Sequence, residues 1–223
     1  MDLILPAKLV AATTAALAPV FITWKGRSSE RRRRIHMLDG FLGRLQTAKV
    51  DMSPWRYPVV QGALDACPVR IDLIPDTLVL RTLPTLWLQA RWLKPHVGRL
   101  RVTVEPSGTE YMADDLGLTT RFAPPPGWPR TTEVCGSGSS SLLLLHELQR
   151  VNLAAFPSLK LIELTERELK VTMRCARGDR TTYRVLRSAQ FAPDAVTPQL
   201  IDETLALLRT VEETLSERPT SHD

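Results

Sequence analysis

Histidine and cysteine are scarce in this chain of 223 residues, which holds four of the first and three of the second. Cys67, Cys135 and Cys175 lie far apart without CxxC spacing, which argues against a disulfide framework and a four-ligand zinc site. They read as buried thiols in a reducing compartment. His36 falls in a basic flank, His96 in a turn, His146 in a leucine-rich helix and His222 in the tail, so no histidine cluster suggests a metal. Phosphate-cradling loops are lacking as well. The glycine–serine run at residues 135–141 has no GK[ST] ending, no G-x-G-x-x-G follows a strand, and no G-x-S-x-G elbow is present. No cofactor is expected from these patterns.

Most of the chain also lacks net charge. The formal charge is +5, yet seven of the 29 Lys and Arg and two of the 24 Asp and Glu lie in residues 1–34, leaving 22 of each sign beyond. A neutral body is a poor footprint for a phosphate backbone, so nucleic acid is not an expected partner.

What the N-terminus does have is an apolar run. Residues 9–24 (LVAATTAALAPVFITW) carry no charge between Lys8 and Lys25. Sixteen helical residues span roughly 24 Å, short of the ~30 Å hydrocarbon core. Counting back to Leu3, with Lys8 snorkelling, gives twenty-two residues, which is enough. The expectation is a single transmembrane helix with Leu9, Val10, Leu17, Val20, Phe21 and Ile22 in lipid and Trp24 as an interfacial anchor. A cleaved signal peptide fits less well, because Asp2 is acidic where a basic start belongs and four arginines follow. A buried core helix is the plain alternative at this length. Lys25, Arg27, Arg31, Arg32, Arg33 and Arg34 lie just beyond the run. By the positive-inside rule they put the body in the cytoplasm, and they suit contact with anionic lipid.

After the arginines, Ile35, Leu38, Phe41, Leu42 and Leu45 recur at helical spacing, which reads as an amphipathic juxtamembrane linker. The period then changes to two. Val69, Ile71 and Leu73 alternate with charges, Pro75-Asp76 offers a turn, Leu78 and Leu80 alternate again, and Leu86, Leu88, Ala90 and Trp92 share a face. Leu100, Val102 and Val104 alternate with Arg99, Arg101 and Thr103. These spacings predict an antiparallel meander with one wet face. Pro124 to Pro129 should form a stiff strut with Trp128 packed down. Ser141 is expected to cap a helix running to about Pro157, and strands are expected over 159–165, 168–175 and 182–188. Thr197 and Pro198 open the clearest helix, with Leu200, Ile201, Thr204, Leu205, Leu208, Val211 and Leu215 as its stripe.

The predicted organisation is an anchor over 1–26, a basic linker over 27–56, an α+β domain over 57–216 with a largely antiparallel sheet and a packed C-terminal helix, and a loose tail over 217–223. Candidate chemistry is sparse. Ser139 or Cys135 with His146 is the one local pairing of nucleophile and base, and a linker with a helix cap explains the same residues more simply. Asp114-Asp115 reads as a solvated helix start. Trp87 and Trp92 should point to opposite faces of a strand, one into the core and the other, with Trp55, toward headgroups or a partner. No catalytic residue is assigned. The expected role is a non-catalytic accessory or scaffold protein that binds a protein partner at the cytoplasmic face of a membrane. The alternatives are a lipid- or apolar-ligand-binding module, with the ligand between sheet and last helix, and an enzyme of unrecognised class.

Overall fold

The computed structural model describes residues 34–52, 57–76, 84–106, 116–178, 183 and 191–216. The anchor at 9–24, Lys25, Arg27, Arg31, Arg32 and Arg33, Trp55, Leu78 and Leu80, Asp114-Asp115, most of the strand expected over 182–188, and the tail lie outside the described residues. Among the described residues no helix is long and apolar enough to cross a membrane.

Nine strands among the described residues join one sheet in the order β1-β2-β3-β4-β9-β8-β5-β7-β6. They are β1 (Gln46–Asp51), β2 (Val59–Leu64), β3 (Cys67–Asp76), β4 (Thr85–Trp92), β5 (Leu100–Thr103), β6 (Thr120–Phe122), β7 (Glu133–Gly136), β8 (Leu159–Leu164) and β9 (Leu169–Arg177). Every neighbouring pair is antiparallel. Helix α1 (Asp39–Leu42) precedes the sheet, α2 (Gly138–Leu148) follows β7, and α3 (Pro198–Ser216) comes last. The fold is α+β, a large antiparallel sheet with a packed C-terminal helix.

The twofold apolar pattern sets the register, because slipping one residue would turn every apolar side chain to the other face. Val69, Ile71 and Leu73 of β3 stand opposite Trp92, Ala90 and Leu88 of β4, which meet Leu169, Val171 and Met173 of β9. All nine side chains are 6% exposed or less. Helix α3 packs on this face. Thr197 Oγ1 accepts the Leu200 N–H at 3.2 Å, so the cap forms where Thr-Pro placed it. The predicted stripe is buried through Val211, Leu215 is half-buried, and Leu207 and Glu212 also sink from solvent.

Strands β2 and β3 are joined through Asp65 and Ala66 alone, both at positive φ (50° and 65°), as a two-residue hairpin turn compatible with strand twist requires. Pro75-Asp76 makes no turn: β3 runs through it, with Pro75 opposite Leu86 and Asp76 opposite Thr85. Among the described residues the pairing with β2 ends at Asp72 and Pro75 is paired with β4 alone, an edge position where its missing N–H is tolerated.

Four other expectations change. The sheet begins at Gln46, inside the stretch read as linker, and Leu38 and Phe41 are fully buried in the core. Helix α2 starts at Gly138, ends at Leu148 and gives way to a 3₁₀ turn at Leu153–Ala155. The second sheet face is not wet at its centre, since all six residues of β8 and the first five of β9 are buried. Trp87 and Trp92 do take opposite faces, but both are buried, at 5% and 3% exposure. Trp128 is packed down as expected, its Nε1–H donating to the Val151 carbonyl at 3.0 Å.

Candidate functional site

The second face of the sheet carries a charged row. Register aligns Arg70, Arg91, Lys170, Glu163, Arg101, Cys135 and Arg121 across seven strands. Neighbouring strands are about 4.8 Å apart, so these charges act on one another directly. Glu163 lies between Lys170, with which it forms a close ion pair, and Arg101, whose Nε donates at 2.7 Å. Arg91 pairs with Glu168 at 3.0 Å and Arg70 with Asp72 at 2.9 Å. Lys160 stands 5.7 Å from the Trp87 ring centroid, a cation over an aromatic face. Glu163, Glu168 and Asp72 thus pair four of the row's five cations, and these pairs read as architecture.

A different constellation opens to solvent. The connection between β4 and β5 folds against α2 and α3, and a cavity of about 230 Å³ forms where the three meet. Lys94, His96 and Val97 come from the connection, Leu144 and Glu147 from α2, and Glu212 and Leu215 from α3. Gly98 allows this approach. Its φ is +95°, and a Cβ there would stand 2.6 Å from Ser140 Oγ.

Polar groups in the cavity are unevenly satisfied. Lys94 Nζ and Ser216 Oγ both donate to Glu212 Oε1. Glu212 Oε2 is buried with no hydrogen-bond partner, and so is His96 Nε2. These two atoms face each other at 3.8 Å, with side-chain exposures of 11% and 7%. That separation exceeds a direct hydrogen bond. Burial pushes the His96 imidazole below its ordinary value, and Lys94 pushes the same way, while Glu212 opposes them. The ring is therefore neutral near pH 7.

The residues singled out from the glycine–serine run are placed otherwise. Ser137, not Ser141, is the residue before α2, and its side chain makes no cap bond. Ser141 is fully buried. Its Oγ accepts the Ser137 N–H at 2.7 Å and donates to the Arg99 carbonyl at 2.7 Å. A Cβ on Gly136 would meet Ser141 Cβ at 2.5 Å, so these small residues let β7 and α2 pack closely. Ser139 and His146 are seven residues apart on α2, about 10 Å along the axis, too far for a nucleophile–base hydrogen bond. Cys135 belongs to the charged row on β7. Among the described residues no group of three or more His, Cys, Asp or Glu is arranged to hold a metal. Arg34, the one proposed lipid-contacting arginine among the described residues, lies over the Tyr57 ring at 4.6 Å.

Sequence reasoning passed over Lys94, His96 and Glu212. One signal was available: Glu212 follows Leu205 by seven and Leu208 by four, which puts a carboxylate on the apolar stripe of α3. No protein-family model, no curated protein and no solved structure matches this chain.

Proposed function

We propose that this chain is a single-pass, membrane-anchored accessory or scaffold protein whose α+β body holds a protein partner at the cytoplasmic face. The supporting observation is where its exposed apolar side chains gather. Leu93 (47% exposed), Val97 (62%), Leu142 (53%) and Leu143 (57%) occupy the β4–β5 connection and the start of α2, which touch at Gly98 and Ser140. Only Leu42 (37%) lies elsewhere among the exposed large apolar side chains of the described residues. Exposed apolar side chains on touching segments, rimmed by polar groups, mark a contact surface. A membrane surface suits this patch less well, because the nearby cations Lys94 and Arg150 are bound to Glu212 and Glu147 and offer no net attraction to anionic headgroups.

The N-terminal part of the proposal rests on residues 9–24 and the basic cluster after them. The competing apolar-ligand reading requires space between sheet and last helix. That interval is packed by Leu200, Ile201, Leu205, Leu207, Leu208 and Val211, each 5% exposed or less.

The test is a gentle-detergent pull-down of tagged full-length chain beside a Leu142→Asp/Leu143→Asp variant. A stoichiometric protein present with the first and lost with the second supports the proposal. Equal recovery by both removes the patch from it, and full-length chain in the soluble fraction without detergent removes the anchor.

A further inference from the structure

We infer that His96 is an acid-sensitive latch: its neutral ring holds the β4–β5 connection against α2 and α3, and protonation releases that segment with the apolar side chains it displays. Residues 93–99 form neither helix nor strand between Trp92 and Leu100. Their side chains divide between two directions. Leu93 and Val97 are exposed, whereas Lys94 and His96 turn toward Glu212 on α3. At its start the segment is tied by the Leu93 N–H, which donates to the Pro68 carbonyl at 2.9 Å. Further along it is held by Lys94 on Glu212, by the packed His96 ring and by the approach of Gly98 to Ser140. An irregular connection held mainly by side chains is the kind of segment that opens locally while the sheet stays folded.

The charges around the ring set the direction of the effect. Lys94 faces it from the connection itself, Glu147 from α2 and Glu212 from α3. Lys94 and Ser216 hold one oxygen of Glu212, and Arg150 holds Glu147. Two cations thus match two carboxylates before the ring takes a proton. The imidazolium is a third cation, on a side chain only 7% exposed, and a buried charge without a partner is costly. Pairing it with Glu212, 3.8 Å away, would draw that carboxylate from Lys94. One of the two inward side chains loses its hold either way. Burial, with Lys94 acting in the same sense and Glu212 opposing, keeps the ring below its ordinary value. A group held in this way favours, once protonated, the arrangement that returns it to water. His146 on α2 stands 3.8 Å from Glu147 but is 74% exposed, and it provides a control.

The release of the connection does not depend on the partner-binding proposal; its consequence, loss of the contact surface in acid, rests on that reading. Hydrogen exchange of full-length chain in gentle detergent would be followed by mass spectrometry at pH 7.5 and 5.5, with protection referred to an unstructured peptide at each pH. Protection over residues 93–99 should fall severalfold, with a ceiling of about tenfold for one pH unit below the unfolded value of 6.5. β4 and α3 should keep theirs. His96→Phe keeps a ring but takes no proton and should abolish the fall, whereas His146→Gln should leave it in place. NMR titration of the wild-type His96 ring needs no variant, and its midpoint should lie below 6.5. A midpoint above that value, unchanged protection in acid, or a fall that persists in folded His96→Phe overturns the inference. The pull-down, repeated at both pH values, separates the two readings. A partner lost in acid from wild type but kept by His96→Phe supports both, and a partner kept by wild type whose connection has opened overturns the contact-surface proposal while supporting the latch.

Discussion

Glu163 on β8 and Lys170 on β9 form an ion pair in which each side chain is 1% exposed. Desolvating two charges costs about as much as their attraction returns, so such a pair adds little net stability, whereas removing one partner leaves a buried charge uncompensated. Lys170→Met leaves Glu163 held by Arg101 alone and should therefore destabilise the chain, by less than the about 3–5 kcal/mol of a fully orphaned buried charge. The paired replacement Glu163→Leu/Lys170→Met should cost much less than the single one. Urea unfolding of the three proteins checks this. A single variant no worse than the double would mean that the pair is not buried as described.

Leu208 is fully buried where α3 crosses the sheet. Truncation to alanine should cost about 2–5 kcal/mol, the spread reflecting how far the neighbours can collapse into the space. The denaturation midpoint reads this directly. A change near zero would detach α3 from the core.

Ala66 holds a φ of 65° in the β2–β3 hairpin turn. A left-handed conformation costs a residue with a Cβ about 1–2 kcal/mol, partly offset by the extra freedom glycine gains when unfolded. Ala66→Gly should raise stability by a few tenths to about 1 kcal/mol. A loss of stability would argue against the two-residue turn.

Cys175 should be the slowest of the three thiols to react. Burial pushes its thiol well above the ordinary value, so almost no thiolate exists near pH 8. Iodoacetamide labelling of native protein, mapped by mass spectrometry, should modify Cys67 and Cys135 before Cys175, and urea should abolish the difference. Cys175 is half-buried, as are Cys67 and Cys135, so early native labelling of Cys175 would contradict the raised thiol rather than a difference in exposure.

His96 predicts a pH dependence of definite sign. Its ring is held below the unfolded value of 6.5, chiefly by burial, so below that pH the unfolded chain binds the proton more readily than the folded one. Stability from this residue is present above pH 6.5 and falls as pH drops below it toward the folded value. Urea midpoints of wild type and His96→Phe at pH 7.5 and 5.5 separate this contribution from the carboxylates. The variant should lose less stability on acidification, and an equal or greater loss would reverse the sign.

These sites differ in how far they could be read in advance. The α3 stripe and its Thr197 cap were legible because both are local: a helix brings residues three and four apart together whatever it packs on. The strands containing Ile71, Leu88, Val102 and Ile162 were legible for the same reason at period two. β1 was hidden because its burial pattern is mostly exposed, which leaves too few apolar positions to mark alternation. The expected wet face failed at Glu163 and Lys170, since charged residues on alternate positions look solvated until a buried partner is found opposite.

By itself, the amino-acid order determined the alternation of the strands, the last helix and its cap, the sparse chemistry, and the concentration of net charge beside an apolar N-terminal run. All of these depend on neighbours within a few residues. Only the tertiary structure decided the strand order, the charged row from Arg70 to Arg121, and the meeting of His96 with Glu212 across 116 positions of chain. Strand pairing and helix docking are selected by burial summed over the whole sheet, and no local spacing records which distant residues that sum brings together.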